Sequence, residues 1–342
     1  MSLANCATPE ATARYRERFA GRAAENHFRQ REGLYFSSIG IGTYLGNADE
    51  ATDARYRDAV VRAVQLGVNV IDTAANYRFQ RSERSIGDAL KLLTTEHGFA
   101  REELVICTKG GYIPFDGAPV RDVRSYIEET FVKPGIASFD DFVGGSHCMT
   151  PEYLQNQLDQ SLRNLGVECV DVYYVHNPES QLGHVSESEF YYRLQRAFER
   201  LEQNRSAGKL RYYGVATWNG FRVPPDSREH HSLVRMVELA RSAGGESHGF
   251  RFIQLPYNLA MPEAIVVADE AGRLGVTVVA SASLLQGRVA LRVGAQKAIQ
   301  FVRSTPGITT ALVGMSRVEH VEENLGLVQV EPVSHPQIPQ IP

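Results

Sequence analysis

The chain has 342 residues, of which 43% are hydrophobic and 22% are charged, and its formal net charge is -4. That length and apolar content allow one large buried core, and the interspersed charges exclude the basic surface that nucleic-acid-binding proteins present. No apolar run approaches the ~18 residues of a membrane span and the N-terminus is unlike a signal peptide, so we expect a cytoplasmic protein, monomeric or homo-oligomeric, without nucleic-acid or membrane partners.

The first segment, residues 1–33, is rich in Ala and Arg and predicts a helical extension. This extension either covers the base of the domain that follows or forms an oligomer contact. At the other end of the chain, the proline-rich tail 329–342 predicts an extended conformation. We expect neither end to carry chemistry.

Between these ends, over residues 34–328, the chain repeats a short β-branched run and a helix-period segment eight times. The strand-like runs are 38–43, 68–72, 103–109, 170–176, 212–218, 251–255, 276–281 and 309–314. The helical segments lie near 55–66, 81–95, 151–165, 189–207, 230–243, 262–274, 294–304 and 317–326. This alternation predicts an α/β fold, and eight units favour a single-domain (β/α)8 TIM barrel over an open doubly wound sheet.

Polar residues stand where most of the predicted strands end. The C-terminal ends of the strands in a (β/α)8 barrel meet at one rim, where enzymes of this fold build their active sites. We therefore expect the strand-end side chains to lie close together at this rim. They are Asp72, Lys109, His176, Thr217, Gln254 and Ser281.

Four residues at the second, third and fourth strand ends can together form a proton donor. Tyr77 follows Asp72 by five residues, and a phenol with a pKa near ~10 is a poor proton source unless a cation stabilises its phenolate. Lys109 can be that cation, and the Asp72 carboxylate would keep it charged. His176 could hydrogen-bond the substrate oxygen or share a proton with the phenol.

Each of these residues also has a purely structural interpretation. Asp72 could cap a helix or form a turn, and Tyr77 could be a packing aromatic. Lys109 could be a solvated loop residue, and His176 could simply end a strand. Their occurrence together at three successive strand ends favours the catalytic interpretation.

The cysteines indicate a reducing environment and no metal site. Cys6, Cys107, Cys148 and Cys169 have no C-x-x-C spacing, so we expect buried free thiols rather than disulfides or metal ligands. His147 beside Cys148 lacks a second ligand pair at zinc spacing. The sequence therefore predicts chemistry without a metal.

The connection after Lys109, residues 110–150, is unusually long for a barrel and typical of a functional loop. Because it leaves the third strand at the catalytic rim, we expect it to lie over the active site. It would then contribute Tyr112, Phe115 or Phe139 to an aromatic substrate wall. The alternative is a structural flap packed on the outside of the barrel.

Six stretches, in order from about residue 36 to 328, resemble the aldo-keto reductase superfamily. They are GIGTYLG, VNVIDTAANY with SERSIGDAL, VICTK, VDVYYVHNPE, FIQLPYN and LVGMSRVEHVEENL. The resemblance implies a (β/α)8 barrel that reduces carbonyls with NADPH and without a metal. It implies that Tyr77 is the general acid, Lys109 and Asp72 its electrostatic partners, and His176 the residue that orients the substrate carbonyl.

The cofactor site predicted by this resemblance lies at the barrel rim. No G-x-G-x-x-G fingerprint follows a strand, but the helix start after Gly314 offers free backbone N–H groups to a phosphate. The family pattern implies that the adenine and 2′-phosphate regions contact Gly314, Ser316, Arg317, His320, Glu323 and Asn324. It implies that the nicotinamide end is flanked by Gly42, Thr43, Tyr44, Asp72, Thr217, Gln254 and Ser281.

Three departures from the family pattern fall in this cofactor site. Ala216-Thr217 replaces a Ser-Asn pair, which weakens the expected carboxamide contacts, and Ser281 replaces a stacking tyrosine. His320 replaces an arginine that often binds the 2′-phosphate, although Arg317 can take over. Trp218 either supplies the lost stacking or packs in the core. NADPH is the predicted cofactor, with NADH as the alternative.

The sequence thus predicts an NAD(P)H-dependent oxidoreductase that reduces an aldehyde or ketone, or oxidises the alcohol, and whose partner is a small carbonyl or alcohol. One alternative is a redox-neutral isomerase or lyase that retains its NAD(P), which the altered nicotinamide contacts favour. Another is a non-catalytic, cofactor-sensing regulatory subunit. The intact set of Asp72, Tyr77, Lys109 and His176 argues against this last alternative.

Overall fold

Eight parallel strands close into a barrel at the centre of the protein. The computed structural model describes residues 5–333. The strands of this range are β1 (Phe28–Arg31), β2 (Leu34–Ser37), β3 (Ile39–Gly42), β4 (Val70–Asp72), β5 (Val105–Gly110), β6 (Val170–His176), β7 (Leu210–Ala216), β8 (Phe250–Pro256), β9 (Thr277–Ser281) and β10 (Ile308–Gly314). Its helices are α1 (Pro9–Glu17), α2 (Glu50–Gln65), α3 (Arg81–Thr95), α4 (Val123–Ile127), α5 (Pro151–Leu165), α6 (Glu187–Ser206), α7 (Leu233–Gly244), α8 (Val266–Arg273), α9 (Arg288–Val293), α10 (Ala295–Ser304) and α11 (Val318–Leu325).

The barrel strands follow one another in the order β10-β3-β4-β5-β6-β7-β8-β9. All of these strand pairs are parallel, and each barrel strand lies where the sequence predicts it. A helix follows each strand as expected. The predicted (β/α)8 barrel is therefore confirmed, and the open doubly wound sheet is wrong.

Apolar residues close the barrel and bury both faces of its strands. Every residue of β5 and β6 is buried, as expected for parallel strands covered by helices. Gly40 lets β3 and β10 pack closely at their seam, because a Cβ at this position would lie 2.7 Å from a methyl group of Leu312 and 2.9 Å from that of Thr310. Close packing at this seam brings Gly42 opposite both Asp72 and Gly314.

Local signals set where several helices begin and end. The Asp49 carboxylate accepts a hydrogen bond from the backbone N–H of Thr52 at 2.7 Å and caps the start of α2. Helix α5 begins at Pro151, where a missing N–H is harmless, and is followed by Gly166 in the left-handed conformation with φ 65°. These ends orient the loops that reach the catalytic rim.

The segment before the barrel is helical only in part, so the predicted helical extension over residues 1–33 is correct for α1 and wrong for its end. Only α1 is α-helical, and residues 28–37 form an antiparallel hairpin of β1 and β2. Its turn residues Glu32 and Gly33 have φ values of 50° and 79°, which is the geometry of a tight hairpin turn. Leu34 and Phe36 from this hairpin join the cluster inside the barrel and cover its base.

The N-terminal arm is also linked covalently to the barrel base. The structure pairs Cys6 with Cys169 in a disulfide, with the two Cα atoms 5.3 Å apart. The prediction of four free thiols is therefore wrong for this pair, because the fold brings together cysteines 163 residues apart. Cys107 and Cys148 are buried and unpaired within the described chain. The cysteines consequently do not support the predicted reducing environment.

The long connection 110–150 forms a small hydrophobic core of its own beside α5. Phe131, Phe142 and Tyr153 are buried together there, with ring centroids 5.1–5.7 Å apart. Phe115 and Phe139 pack against this cluster. Most of the connection therefore stabilises itself by its own aromatic packing.

Two further predictions concern the chain ends and membranes. Residues 334–342 of the predicted extended tail lie outside the described residues, and the division of the chain at residues 33 and 328 stays a prediction. Among the helices between residues 5 and 333, none is long and apolar enough to cross a membrane.

Candidate active site

A cavity of about 1080 Å³ opens at the C-terminal ends of the barrel strands. Its wall is built from the segments that follow seven of the eight barrel strands, and β8 contributes Gln254 from within the strand. Among the lining residues are Gly42, Thr43, Tyr44, Asp72, Tyr77, Tyr112, His176, Thr217, Trp218, Gln254, Ser281, Gly314, Ser316, His320, Glu323 and Asn324. The rim residues expected from the strand ends thus surround one space, with Lys109 directly beneath it.

Asp72 and Lys109 form a buried ion pair at the floor of this cavity. The Lys109 Nζ donates to Asp72 Oδ2 at 2.6 Å and to the backbone carbonyl of Thr73 at 2.7 Å. Asp72 Oδ1 accepts a hydrogen bond from the Gln254 side-chain amide at 2.8 Å. Lys109 is 1% exposed, so the interpretation of it as a solvated loop residue is wrong.

The two charges of this pair depend on each other. Burial lowers the pKa of Lys109, but the Asp72 carboxylate beside it reverses the effect and leaves the lysine pKa above its ordinary value. Burial raises the pKa of Asp72, and Lys109 and Gln254 oppose that rise. We conclude that the lysine keeps its proton throughout the neutral range, held by the carboxylate.

Tyr77 lies next to this cation. Its ring centroid is 4.9 Å from the Lys109 Nζ, and the Tyr44 ring meets it edge-on at 5.0 Å. Burial raises the pKa of the Tyr77 phenol, and Lys109 only partly opposes the rise. The phenol is therefore protonated at neutral pH and can donate that proton into the cavity it lines.

An unusual backbone segment places Tyr77 at this point. The next three residues, Arg78, Phe79 and Gln80, all have positive φ values between 48° and 68°, which side chains other than glycine rarely adopt. The Arg78 side chain, in turn, donates to the backbone carbonyl of Asn47 at 2.9 Å. This tight turn reverses the chain between β4 and α3 and leaves the phenol facing the rim.

His176 completes the polar group around Tyr77. The two rings meet edge-on with centroids 5.8 Å apart, and the His176 Nδ1 has no hydrogen-bond partner in the described chain. Burial, and then the positive charge of Lys109, holds the pKa of His176 well below its ordinary value. The imidazole is therefore neutral at the wall of the cavity.

The long connection contributes one aromatic residue to the cavity. The Tyr112 ring meets the His176 ring edge-on at 5.2 Å, and its hydroxyl is 2.8 Å from the Ser180 hydroxyl. Phe115 and Phe139 do not line the cavity, so the expected aromatic wall is correct only for Tyr112.

Comparison with known proteins gives these residues a family context. A protein-family model described as the Aldo/keto reductase family matches residues 38–290, which is most of the chain. The chain belongs to the aldo/keto reductase family. The resemblance seen in the sequence is thereby confirmed.

Several aldo/keto reductases and related proteins are similar to this one. A Schizosaccharomyces pombe protein provisionally named a voltage-gated potassium channel subunit beta is 24% identical over 88% of this chain and 87% of its own length. An NADH-specific methylglyoxal reductase of Escherichia coli is 28% identical over a stretch that covers 54% of this chain and 49% of that relative. The solved structure of an aldo/keto reductase from Klebsiella pneumoniae, in complex with NADP and acetate, matches with a TM-score of 0.61 at 19% identity, covering 90% of this chain and 91% of the other.

One predicted cofactor residue of this aldo/keto reductase lies elsewhere. Arg317 precedes α11, is exposed and does not line the cavity, whereas His320 does. The assignment of Arg317 to the 2′-phosphate stays a prediction, which the lining of this cavity does not favour. Among residues 5–333, Arg288 is the only lysine or arginine that lines the cavity, and it lies in the segment after β9.

Sequence reasoning missed a large part of the cavity wall. The segment 282–291 after β9 contributes nine of its ten positions to the wall, and Ala282, Leu285 and Gln286 have positive φ values. The Gly287 that ends this turn was the available signal. Trp218 is 42% exposed and lines the cavity, so the suggestion that it packs in the core is wrong.

Proposed function

We propose that this aldo/keto reductase is an NAD(P)H-dependent oxidoreductase that reduces an aldehyde or ketone, or oxidises the corresponding alcohol. The observation that carries this proposal is Tyr77, which lines the cavity with its ring centroid 4.9 Å from the ammonium of a buried Lys109–Asp72 pair. Such a phenol can protonate an alkoxide oxygen as it forms, and this is the role that carbonyl reduction requires.

The cavity has polar groups that suit a dinucleotide. Four residues that line it carry a buried side-chain atom with no hydrogen-bond partner within residues 5–333: His176 Nδ1, Thr217 Oγ1, Ser283 Oγ and Asn324 Oδ1. Buried polar atoms are rarely left unpaired, so small side-chain rotations toward a polar ligand would satisfy them. The residues proposed to hold the cofactor are Gly42, Thr43, Tyr44, Asp72, Thr217, Gln254, Ser281, Gly314, Ser316, His320, Glu323 and Asn324. A nicotinamide bound there would supply the hydride.

The side chains of the chain itself would perform the proton chemistry. Tyr77 would donate its proton to the carbonyl oxygen, and Lys109 would stabilise the phenolate that remains. Asp72 would hold Lys109 charged and aimed at the phenol. The neutral His176 would orient the carbonyl through a hydrogen bond, which does not require a second charge in the pocket.

The choice between NADPH and NADH is a finer proposal. We favour NADPH, as the solved Klebsiella structure contains NADP. The Escherichia coli relative, however, is named as NADH-specific, and no arginine from residues 314–324 reaches the cavity. A small-molecule substrate and a cytoplasmic location complete the proposal, and fractionation of cells would test the location.

A second candidate is a cofactor-sensing regulatory subunit. The Schizosaccharomyces pombe relative with a channel-subunit name covers nearly the whole chain, which favours this alternative. A redox-neutral isomerase or lyase with retained NAD(P) is the third. Net consumption of free NADPH with a carbonyl substrate would contradict both alternatives.

The test is a calorimetric titration with NADPH and with NADH, on wild-type protein and on Tyr77→Phe. We expect one nucleotide to bind both proteins with the same Kd within about twofold, since Tyr77 serves the proton step. A panel of aldehydes and ketones should then be reduced by the wild type and at least about 100-fold more slowly by the variant. If neither nucleotide binds and none co-purifies, the oxidoreductase proposal fails.

A further inference from the structure

The loop after β7 folds around a buried carboxylate that the proposed chemistry does not use. Glu179 lies in a short 3₁₀ turn, three residues after His176, and is 5% exposed. Its Oε1 accepts hydrogen bonds from the backbone N–H of Trp218 at 2.6 Å and of Asn219 at 2.9 Å. These two amides immediately follow Thr217, so Glu179 holds the stretch of loop that lines the cavity.

The second oxygen of this carboxylate faces a buried imidazole. The Nε2 of His231 lies 3.5 Å from Glu179 Oε2, and His231 is fully buried. The His231 ring stacks on Phe190 of α6, with centroids 5.2 Å apart and planes 9° from parallel. Phe221 meets the same ring edge-on at 5.8 Å. The imidazole is therefore packed between two aromatic rings beside the carboxylate, at ion-pair distance, although its Nε2 and Glu179 Oε2 make no hydrogen bond within residues 5–333.

The loop backbone is fitted closely to this imidazole. The backbone N–H of His231 donates to the carbonyl of Gly220 at 2.7 Å. A Cβ at Gly220 would lie 2.2 Å from the His231 ring, so a side chain at this position would displace the ring. Gly220 thus lets both ends of the loop, near residues 218 and 231, meet at Glu179.

The carboxylate is well suited to remain charged in this environment. Burial alone would raise the pKa of Glu179, but His231 and the two backbone N–H groups hold it below the ordinary value. Hydrogen bonds to a charged acceptor are stronger than those between neutral groups. The Glu179 carboxylate therefore anchors the loop more firmly than a neutral turn would.

We propose that Glu179 and His231 form a positioning pair that fixes Thr217 and Trp218 in the cavity wall and thereby sets the affinity for nucleotide and substrate. Neither residue of the pair lines the cavity, so both act through the loop. The part of this inference that concerns ligands rests on the proposed function. The part that concerns the order of the loop does not.

The position of the loop can be measured directly, because Trp218 is the single tryptophan of the chain. The steady-state fluorescence anisotropy of Trp218 should fall in Glu179→Ala, because both backbone N–H groups lose their acceptor. The Kd of the Glu179→Ala protein for NADPH and its KM for a carbonyl should each rise about tenfold, while its kcat should stay within about threefold of the wild-type value. Glu179→Gln keeps an acceptor oxygen and should restore the anisotropy and the Kd to within about threefold of wild type.

Glu202 offers a matched control. It is 8% exposed, and its carboxylate likewise accepts a backbone N–H, that of Gly249, and also the Tyr213 hydroxyl. Gly249 precedes β8 at the opposite end of the barrel, so Glu202→Ala should lower thermal stability and leave the anisotropy and the Kd unchanged. If Glu179→Ala does not fold, Gly220→Ala is the second test. By displacing the His231 ring, it should lower the Trp218 anisotropy and raise the Kd for NADPH, as expected for Glu179→Ala.

The outcomes separate this inference from the proposed function. Wild-type anisotropy in the Glu179→Ala or Gly220→Ala protein, or an equal loss of anisotropy in Glu202→Ala, overturns the positioning proposal. Absence of nucleotide binding to the wild type overturns the proposed function instead. The anisotropy comparison would then still decide whether Glu179 orders the loop.

Discussion

The barrel holds two buried carboxylate–cation pairs, one at each end. At the rim, Asp72 binds the Lys109 ammonium at 2.6 Å, and at the base Asp171 binds the Arg101 guanidinium at 2.8 Å. All four residues are at most 4% exposed. By burial and distance alone the two pairs are equivalent.

Their other partners distinguish them. The Asp171 carboxylate also accepts hydrogen bonds from the backbone N–H of Ile106 at 2.7 Å and from that of Ala7 at 2.6 Å. The ion pair at the barrel base therefore joins separate segments of the chain. Asp72 instead accepts a side-chain amide and holds a lysine beneath the Tyr77 phenol. Under the proposed function, equal burial would serve stability at the base and reactivity at the rim.

Replacing each cation in turn is the strongest test of this comparison. Both Lys109→Met and Arg101→Met leave a buried carboxylate unpaired, so each should lower the free energy of unfolding by about 3–5 kcal/mol. Only Lys109→Met should also lower kcat, by about 100-fold or more, because Tyr77 loses its cation. Urea unfolding and carbonyl reduction per folded molecule measure the two effects. An equal loss of kcat in both variants would show that the two ends do not differ as described.

Leu34 tests whether the hairpin matters to stability only. Its side chain is fully buried in the cluster that covers the barrel base, so Leu34→Ala should cost about 2–5 kcal/mol. The KM for NADPH should stay unchanged, since the hairpin is remote from the rim. Leu291, 91% exposed at the cavity mouth, is the matched control, and Leu291→Ala should change the unfolding free energy by less than about 0.5 kcal/mol. A changed KM for NADPH in the Leu34→Ala protein would instead show that packing at the barrel base affects the cavity at the rim.

His27 makes the base sensitive to acid. Its Nδ1 faces the Ser38 hydroxyl at 3.0 Å, its Nε2 faces the Gly67 carbonyl at 2.9 Å, and burial lowers its pKa to about 3. In the unfolded chain the pKa is near ~6.5, so the unfolded state binds more protons below that pH and stability falls as the pH drops from 6.5 towards 3.

Between pH 7 and pH 5 this single histidine should remove about 2 kcal/mol of stability. His27→Gln, which cannot be protonated, should lose that part of the pH dependence in urea unfolding at pH 7 and pH 5. His147, whose pKa burial lowers to about 4, should keep a similar acid sensitivity in the variant. Identical pH slopes in the two proteins would mean that His27 is not buried and neutral.

The smallest expected effect is at Arg317. Because its side chain is exposed outside the cavity, Arg317→Ala should change the Kd for NADPH by less than about twofold. His320→Ala is the comparison, since His320 lines the cavity and its loss should weaken binding more. A tenfold loss in the Arg317 variant would restore the sequence-based assignment of the 2′-phosphate contact.

The strands, the helices and the polar strand-end residues at the rim could be predicted because their sequence signals are local or periodic. The predicted strand 170–176 and helix 151–165 coincide with β6 and α5. Strand ends converge in any parallel barrel, so a polar residue at such an end identifies a rim position without further information. Asp72 and His176 were accessible to sequence reasoning for this reason.

Features that depend on distant contacts were not accessible. The pairing of Cys6 with Cys169 requires the N-terminal arm to return beneath β6. The contact of Glu179 with the amides of Trp218 and Asn219 joins loops about forty residues apart, and neither loop carries a periodic pattern. Strand β1 was included in the predicted helical extension because it and the turn signal Glu32-Gly33 end an Ala/Arg-rich segment.

By itself, the sequence determined the barrel, its strand order along the chain and the residue types at its rim, because hydrophobic periodicity and strand-end chemistry are read over a few residues. The tertiary structure alone decided which buried charges are paired and which face the cavity. It also decided that Trp218 forms the cavity wall and that the hairpin closes the base. These outcomes depend on which distant segments pack together, and desolvation and hydrogen bonding act only after the chain has folded.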